Sequence, residues 1–79
     1  MSPTIFTSGS YRYYFFSREE ERPHVHVTSS DGEAKFWLEP IVALATSTGL
    51  SKRQLGKIQM TIVERYNEIR SAWKKHFGR

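Results

Sequence analysis

The chain has no cysteine. Disulfides and thiolate metal sites are therefore excluded, a composition compatible with a reducing compartment. It also lacks any apolar run long enough to cross a bilayer, and its start has no basic segment followed by an apolar one. These absences predict a soluble, cytoplasmic protein with no membrane partner. Internal repeats and low-complexity segments are missing too, so residues 1–79 read as a single domain. A chain this short buries a modest share of its surface and has a small core. What is present is a mild basic excess, +4 formally, which favours acidic partners such as RNA, DNA or an acidic protein. Aromatics reach 14% of residues, and these large side chains compensate for a core with few aliphatics.

The chain is organised around Pro23-His24-Val25-His26-Val27. Proline suits the first residue of a strand, where no ladder N–H is needed. The residues after it alternate polar and apolar, the period of a half-buried strand. Glu33-Ala34-Lys35-Phe36-Trp37-Leu38 alternates as well, and Ser29-Ser30-Asp31-Gly32 between them carries an Asp-Gly turn signal. In a hairpin of these two strands, Val25, Val27, Ala34, Phe36 and Leu38 share the buried face. His24, His26, Glu33, Lys35 and Trp37 then share the other.

Upstream, Thr4-Ile5-Phe6 is a strand candidate and Ser8-Gly9-Ser10 a turn. Tyr11-Arg12-Tyr13-Tyr14-Phe15-Phe16 reads as a central strand with large side chains on both faces. The charged stretch Ser17–Arg22 reads as a solvated loop, or as three glutamates that repel nucleic acid or dock a basic partner. Pro40 ends the second hairpin. Ile41–Ala45 fits either a short edge strand or one buried helical turn, and Thr46–Gly49 reads as loop. Ser51 and Gln54 form a capping box, with Leu50 and Leu55 at the staple positions. Leu55, Ile58, Ile62, Tyr66, Ile69, Trp73 and Phe77 then recur at steps of three and four, and Gly78 supplies a stop. The spacing predicts one helix of about seven turns, at roughly 3.6 residues per turn. Lys74, Lys75 and Arg79 suit its negative end. The fold class is α+β: a small antiparallel sheet of three to four strands packed against one long C-terminal helix.

The histidine face is where chemistry is expected. Metal-free RNA cleavage needs a base, an acid and a cation. Imidazoles change charge close to neutral pH, so His24 and His26 fit the first two roles. Lys35 or Arg22 fits the third, and Glu33 can orient an imidazole or act as base. The same pair could touch an ion, with Glu33 or His76 as a third ligand. The set is incomplete and no zinc motif accompanies it, so neither metal nor cofactor is expected. For binding, Trp37, Arg22 and Arg12 are the candidates, and Tyr11, Tyr13 or Tyr14 could also stack on bases. Trp73 and Phe77 lie on the helical stripe and read as core.

Pro23–Val27 and Gly32–Leu38, with Thr-Ile-Phe at the start and a helix ending near Trp73 and Phe77, resemble a family of small bacterial proteins described as a domain of unknown function. The resemblance runs from about Pro3 to Gly78. Genes of that family commonly sit beside another small uncharacterised family, an arrangement similar to a toxin–antitoxin pair. His24, His26, Glu33, Lys35 and Trp37 stand at the family's motif positions, for which the resemblance implies no catalytic role. Many members carry an acidic residue where Ala43 stands, an asparagine near Ser47, and a second proline where Arg22 stands. The resemblance and the segregated face together imply a small component of a toxin–antitoxin-like module that acts on RNA or on a partner protein. The alternative is a non-catalytic inhibitor or protein-binding module that docks a cognate small protein through its sheet face. A homodimer is compatible with either.

Overall fold

The two alternating strands form the hairpin their sequence requires. In a computed structural model that describes residues 4–16 and 21–78, Val25 lies opposite Phe36 and Val27 opposite Ala34. His24 lies opposite Trp37, His26 opposite Lys35 and Thr28 opposite Glu33. This hairpin is the centre of a five-stranded antiparallel sheet whose spatial order follows the sequence. The strands are β1 (Thr4–Ser8), β2 (Tyr11–Tyr14), β3 (His24–Thr28), β4 (Glu33–Trp37) and β5 (Ala43–Thr48). Helices α1 (Lys52–Glu64) and α2 (Tyr66–Phe77) follow. Arg79 and the part of the charged connection formed by residues 17–20 lie outside the described residues.

The architecture is α+β, with two corrections. The sheet has five strands, because Thr46–Thr48 continues β5 and is not loop. A bulge beside Lys35 and Phe36 leaves Ala45 without a partner, so Leu44 faces Phe36 and Thr46 faces Lys35. The extra residue shifts the parity of the strand halfway along. No single alternation therefore runs through Ala43–Thr48.

The second correction concerns the helix. The capping box forms as the sequence requires: Ser51 N–H donates to Gln54 Oε1 at 2.8 Å, and Gln54 N–H to Ser51 Oγ at 3.1 Å. Gly78 ends the second segment in the left-handed region, at φ 75°. Between them the run breaks at Arg65, at φ −109° and ψ 25°, giving two helices in place of one. One turn earlier the Thr61 hydroxyl donates to the Lys57 carbonyl, 3.1 Å away, a back-bond that tends to bend helices. The Arg65 side chain is fixed by a two-point contact with Glu68, at 2.9 and 3.0 Å, and its guanidinium lies 3.6 Å from the centre of the Phe6 ring.

The helices cover one sheet face. Ile58, Ile62, Ile69 and Trp73 bury against Tyr13, Phe15, Val25, Val27, Ala34, Phe36 and Leu38. Tyr66 reaches across this layer and donates its hydroxyl to the Leu38 carbonyl at 2.8 Å. The aromatic run splits by parity. Tyr11, Tyr13 and Phe15 turn to the core. Arg12 and Tyr14 face Thr28 and His26 on the other side.

Two backbones meet closely where the β3–β4 turn passes the end of β5. A Cβ on Gly32 would fall on the carbonyl oxygen of Thr48 and the backbone of Gly49. Here glycine is required by contact, not by a positive φ. Gly32→Ala should therefore destabilise the fold by about 1–3 kcal/mol, read from the urea midpoint. Burial pushes the Tyr13 phenol above its ordinary value of 10.0, and its hydrogen bond with Thr61 opposes this only in part. The unfolded phenol ionises first, so the unfolded state holds fewer protons once pH passes 10.0. Stability should be full below that pH and fall above it. Tyr13→Phe should lessen the fall, as urea titrations on either side of pH 10.0 would measure.

Candidate functional site

Among the described residues no helix covers the second sheet face. Its parity brings together Arg12, Tyr14, His26, His24, Lys35, Trp37 and Glu33, with Thr46 and Thr48 opposite Lys35 and Glu33 on β5. The face divides into an aromatic end and an open groove.

The aromatic end is built around His24. Pro23 starts the strand, and Leu38 N–H donates to its carbonyl at 2.9 Å, closing the pair. The His24 side chain is fully buried. Its Nδ1 lies 2.7 Å from the Arg22 carbonyl. A carbonyl can only accept, so Nδ1 carries the hydrogen, and in the neutral ring Nε2 is the bare nitrogen. The imidazole packs edge-on to Trp37 at 5.6 Å and tilted against Trp73 of α2 at 5.3 Å. The strand's end thus lets one ring touch both layers. Trp37 is capped in turn by the Arg22 guanidinium at 4.1 Å and the Lys35 ammonium at 4.5 Å. Arg22 Nε donates to the Glu39 carbonyl at 2.9 Å, and the Glu39 carboxylate pairs with Arg70 at 3.3 Å.

The groove lies beside this end and measures about 210 Å³. His26, Lys35 and Glu33 line it together with Tyr14 and Phe16 on one side and Thr46, Ser47 and Thr48 on the other. His26 stacks on Tyr14 at 5.4 Å and tilts against Phe16 at 4.3 Å. Arg12 lies at the margin, its guanidinium 4.5 Å from the centre of the Tyr14 ring and its Nε 2.7 Å from Thr4 Oγ1.

Three of the four residues expected to do chemistry therefore converge: His26, Lys35 and Glu33. The fourth does not join them. His24 and His26 project from the same strand face, with ring centres 5.1 Å apart, yet His24 is sealed beneath Trp37 and Trp73. The expectation that both imidazoles work together on one face is corrected by that burial, since His26 alone of the two lines the groove. Trp37 and Arg22 do sit together, but as a cation on an indole; the ring is not an open stacking platform. Tyr11 and Tyr13 belong to the core side. Among the described residues no group of three histidines or carboxylates could hold a metal ion.

Sequence reasoning missed Phe16, Thr46, Ser47 and Thr48. Phe16 could have been found by extending the Arg12-x-Tyr14 parity two residues on. The β5 wall carried a signal only in its two threonines, which favour strands. No helix among the described residues is long and apolar enough to cross a membrane.

A family profile described as a domain of unknown function, DUF4160, matches residues 10–74. No curated protein and no solved structure matches the chain.

The two histidines should part ways when truncated. His24→Ala leaves a void between two indoles and an unpaired carbonyl, and should cost about 3 kcal/mol. His26→Ala, at the half-buried groove position, should cost about 1 kcal/mol or less. Equal urea midpoints for the two variants would remove the distinction.

Proposed function

From the premise that the chain belongs to the DUF4160 family, we propose that it is a non-catalytic binding module, one component of a toxin–antitoxin-like pair, whose uncovered sheet face takes an acidic partner protein. The observation that carries this reading is the burial of His24. General acid–base cleavage needs a base and an acid that both reach the substrate. With Nδ1 held by the Arg22 carbonyl and the ring walled by two indoles, His24 supplies neither, and one imidazole remains in the groove.

What remains suits recognition. Among the described residues, Arg12, Arg22 and Lys35 bring basic groups to this face alongside Glu33, a set suited to acidic side chains opposite. Phe16 is 42% exposed at the groove's edge and offers an apolar contact. Aromatic and arginine residues are the usual anchors of such surfaces. Action on RNA is the second reading, favoured by the convergence of His26, Lys35 and Glu33 in one groove.

Co-expression with the product of the neighbouring gene separates the two readings. A stable complex is expected. Lys35→Glu with Phe16→Ala should weaken it at least about tenfold, which corresponds to about 1.4 kcal/mol, while the chain keeps its circular dichroism. The purified chain alone should leave end-labelled RNA intact. RNA turnover that disappears in His26→Ala would replace the docking reading with the enzymatic one.

A further inference from the structure

The groove is bipolar along β4. Glu33 and Lys35 leave the same side of that strand two residues apart, about 6.8 Å at the antiparallel rise of roughly 3.4 Å per residue. Each stands in a row that crosses the strands. His26 and Thr46 flank Lys35, whereas Thr28 and Thr48 flank Glu33. One end of the groove is therefore rich in hydrogen-bond donors, and the other holds a carboxylate that only accepts. The wall on the β2 side is aromatic. Tyr14, Phe16 and His26 line it, with His26 stacked on Tyr14 and tilted against Phe16.

These features together restrict the ligand. A bare phosphate or carboxylate suits the Lys35 end but meets a like charge at Glu33. A plain apolar group would desolvate both polar ends and pair with neither. A flat heteroaromatic group with donors beside acceptors on its edge suits both ends and the wall. The space, about 210 Å³, falls below the roughly 300 Å³ from which pockets enclose whole small molecules, so it fits one base and not an entire nucleotide. The formal charge of +4 suits the phosphate that such a base carries with it.

We propose that the groove seats a guanine base. Guanine presents N1–H and N2–H donors beside O6 and N7 acceptors. The donors meet the two oxygens of the Glu33 carboxylate. O6 and N7 meet the Lys35 ammonium, the commonest specific contact of a basic side chain with this base. The base lies against the aromatic wall, as unstacked bases do in single-strand recognition. Adenine reverses the pattern, because its N1 carries a lone pair where guanine has a hydrogen, and that lone pair would face the carboxylate. The shared chemistry has two sources, a free guanine nucleotide or a guanine in single-stranded RNA. This inference goes beyond the docking reading and does not rest on it.

Backbone amide NMR of the full chain, titrated with GMP, IMP, AMP and UMP, tests this. GMP should shift the signals of Phe16, His26, Glu33 and Lys35, and bind at least about tenfold tighter than AMP or UMP. IMP, which lacks only the 2-amino group, should bind roughly tenfold weaker than GMP. Glu33→Gln should erase the preference for GMP over AMP. Should that variant unfold, the comparison of GMP with IMP on the unaltered chain decides. No binding of GMP up to millimolar concentration overturns the proposal, as does equal binding of GMP and AMP, equal binding of GMP and IMP, or a preference that survives Glu33→Gln. The tetranucleotide UpUpGpU identifies the source: tighter binding than GMP points to RNA, equal or weaker binding to the free nucleotide. Failure of the neighbouring gene's product to form a complex would remove the docking reading and leave GMP binding untouched, and the converse holds.

Discussion

Everything on both faces of this sheet follows from how β3 is set against β4. Opposing Val25 to Phe36 and Val27 to Ala34 gives the helices a continuous apolar surface to cover. A slip of one residue would turn that surface outward and bury His26, Lys35 and Glu33 beneath the helices. The groove and the core are thus two consequences of one alignment. Gly32 and Gly49 help hold it, because they allow the turn between these strands to press against the end of β5.

The same alignment explains how much could be read in advance. Alternation in Pro23–Val27 and Glu33–Leu38 is local, and it placed the core face, the polar face and the central hairpin correctly. The helical stripe and the Ser51–Gln54 box are local signals too, and both were legible. The break at Arg65 was not. It leaves the spacing of Ile62, Tyr66 and Ile69 intact and arises from backbone geometry next to a Thr61 back-bond. β5 was obscured for a related reason: the bulge at Ala45 resets its parity, so no single period runs through it.

The fate of His24 shows the limit of parity as a guide. Parity tells which side of a strand a residue leaves from, and His24 leaves from the same side as His26. It does not tell what lies at the strand's end. There the sheet is only one residue from its margin, and Trp73 comes in from the helical layer while Trp37 closes from the other. A polar residue became part of an aromatic seal with its Nδ1 hydrogen-bonded to the Arg22 carbonyl, a partner available from two residues upstream. Burial of a polar ring is tolerable where such a partner exists.

That seal has a practical side. The sequence has two tryptophans, and both rest against the same imidazole, one from each layer. Trp73 is wholly enclosed, whereas Trp37 lies partly exposed under two cations. The molecule is therefore built with a native optical gauge for each layer: one indole sees a dry interior and the other a charged, watered margin. Events on the uncovered layer and loosening of the helical one would register on different chromophores, with no label attached.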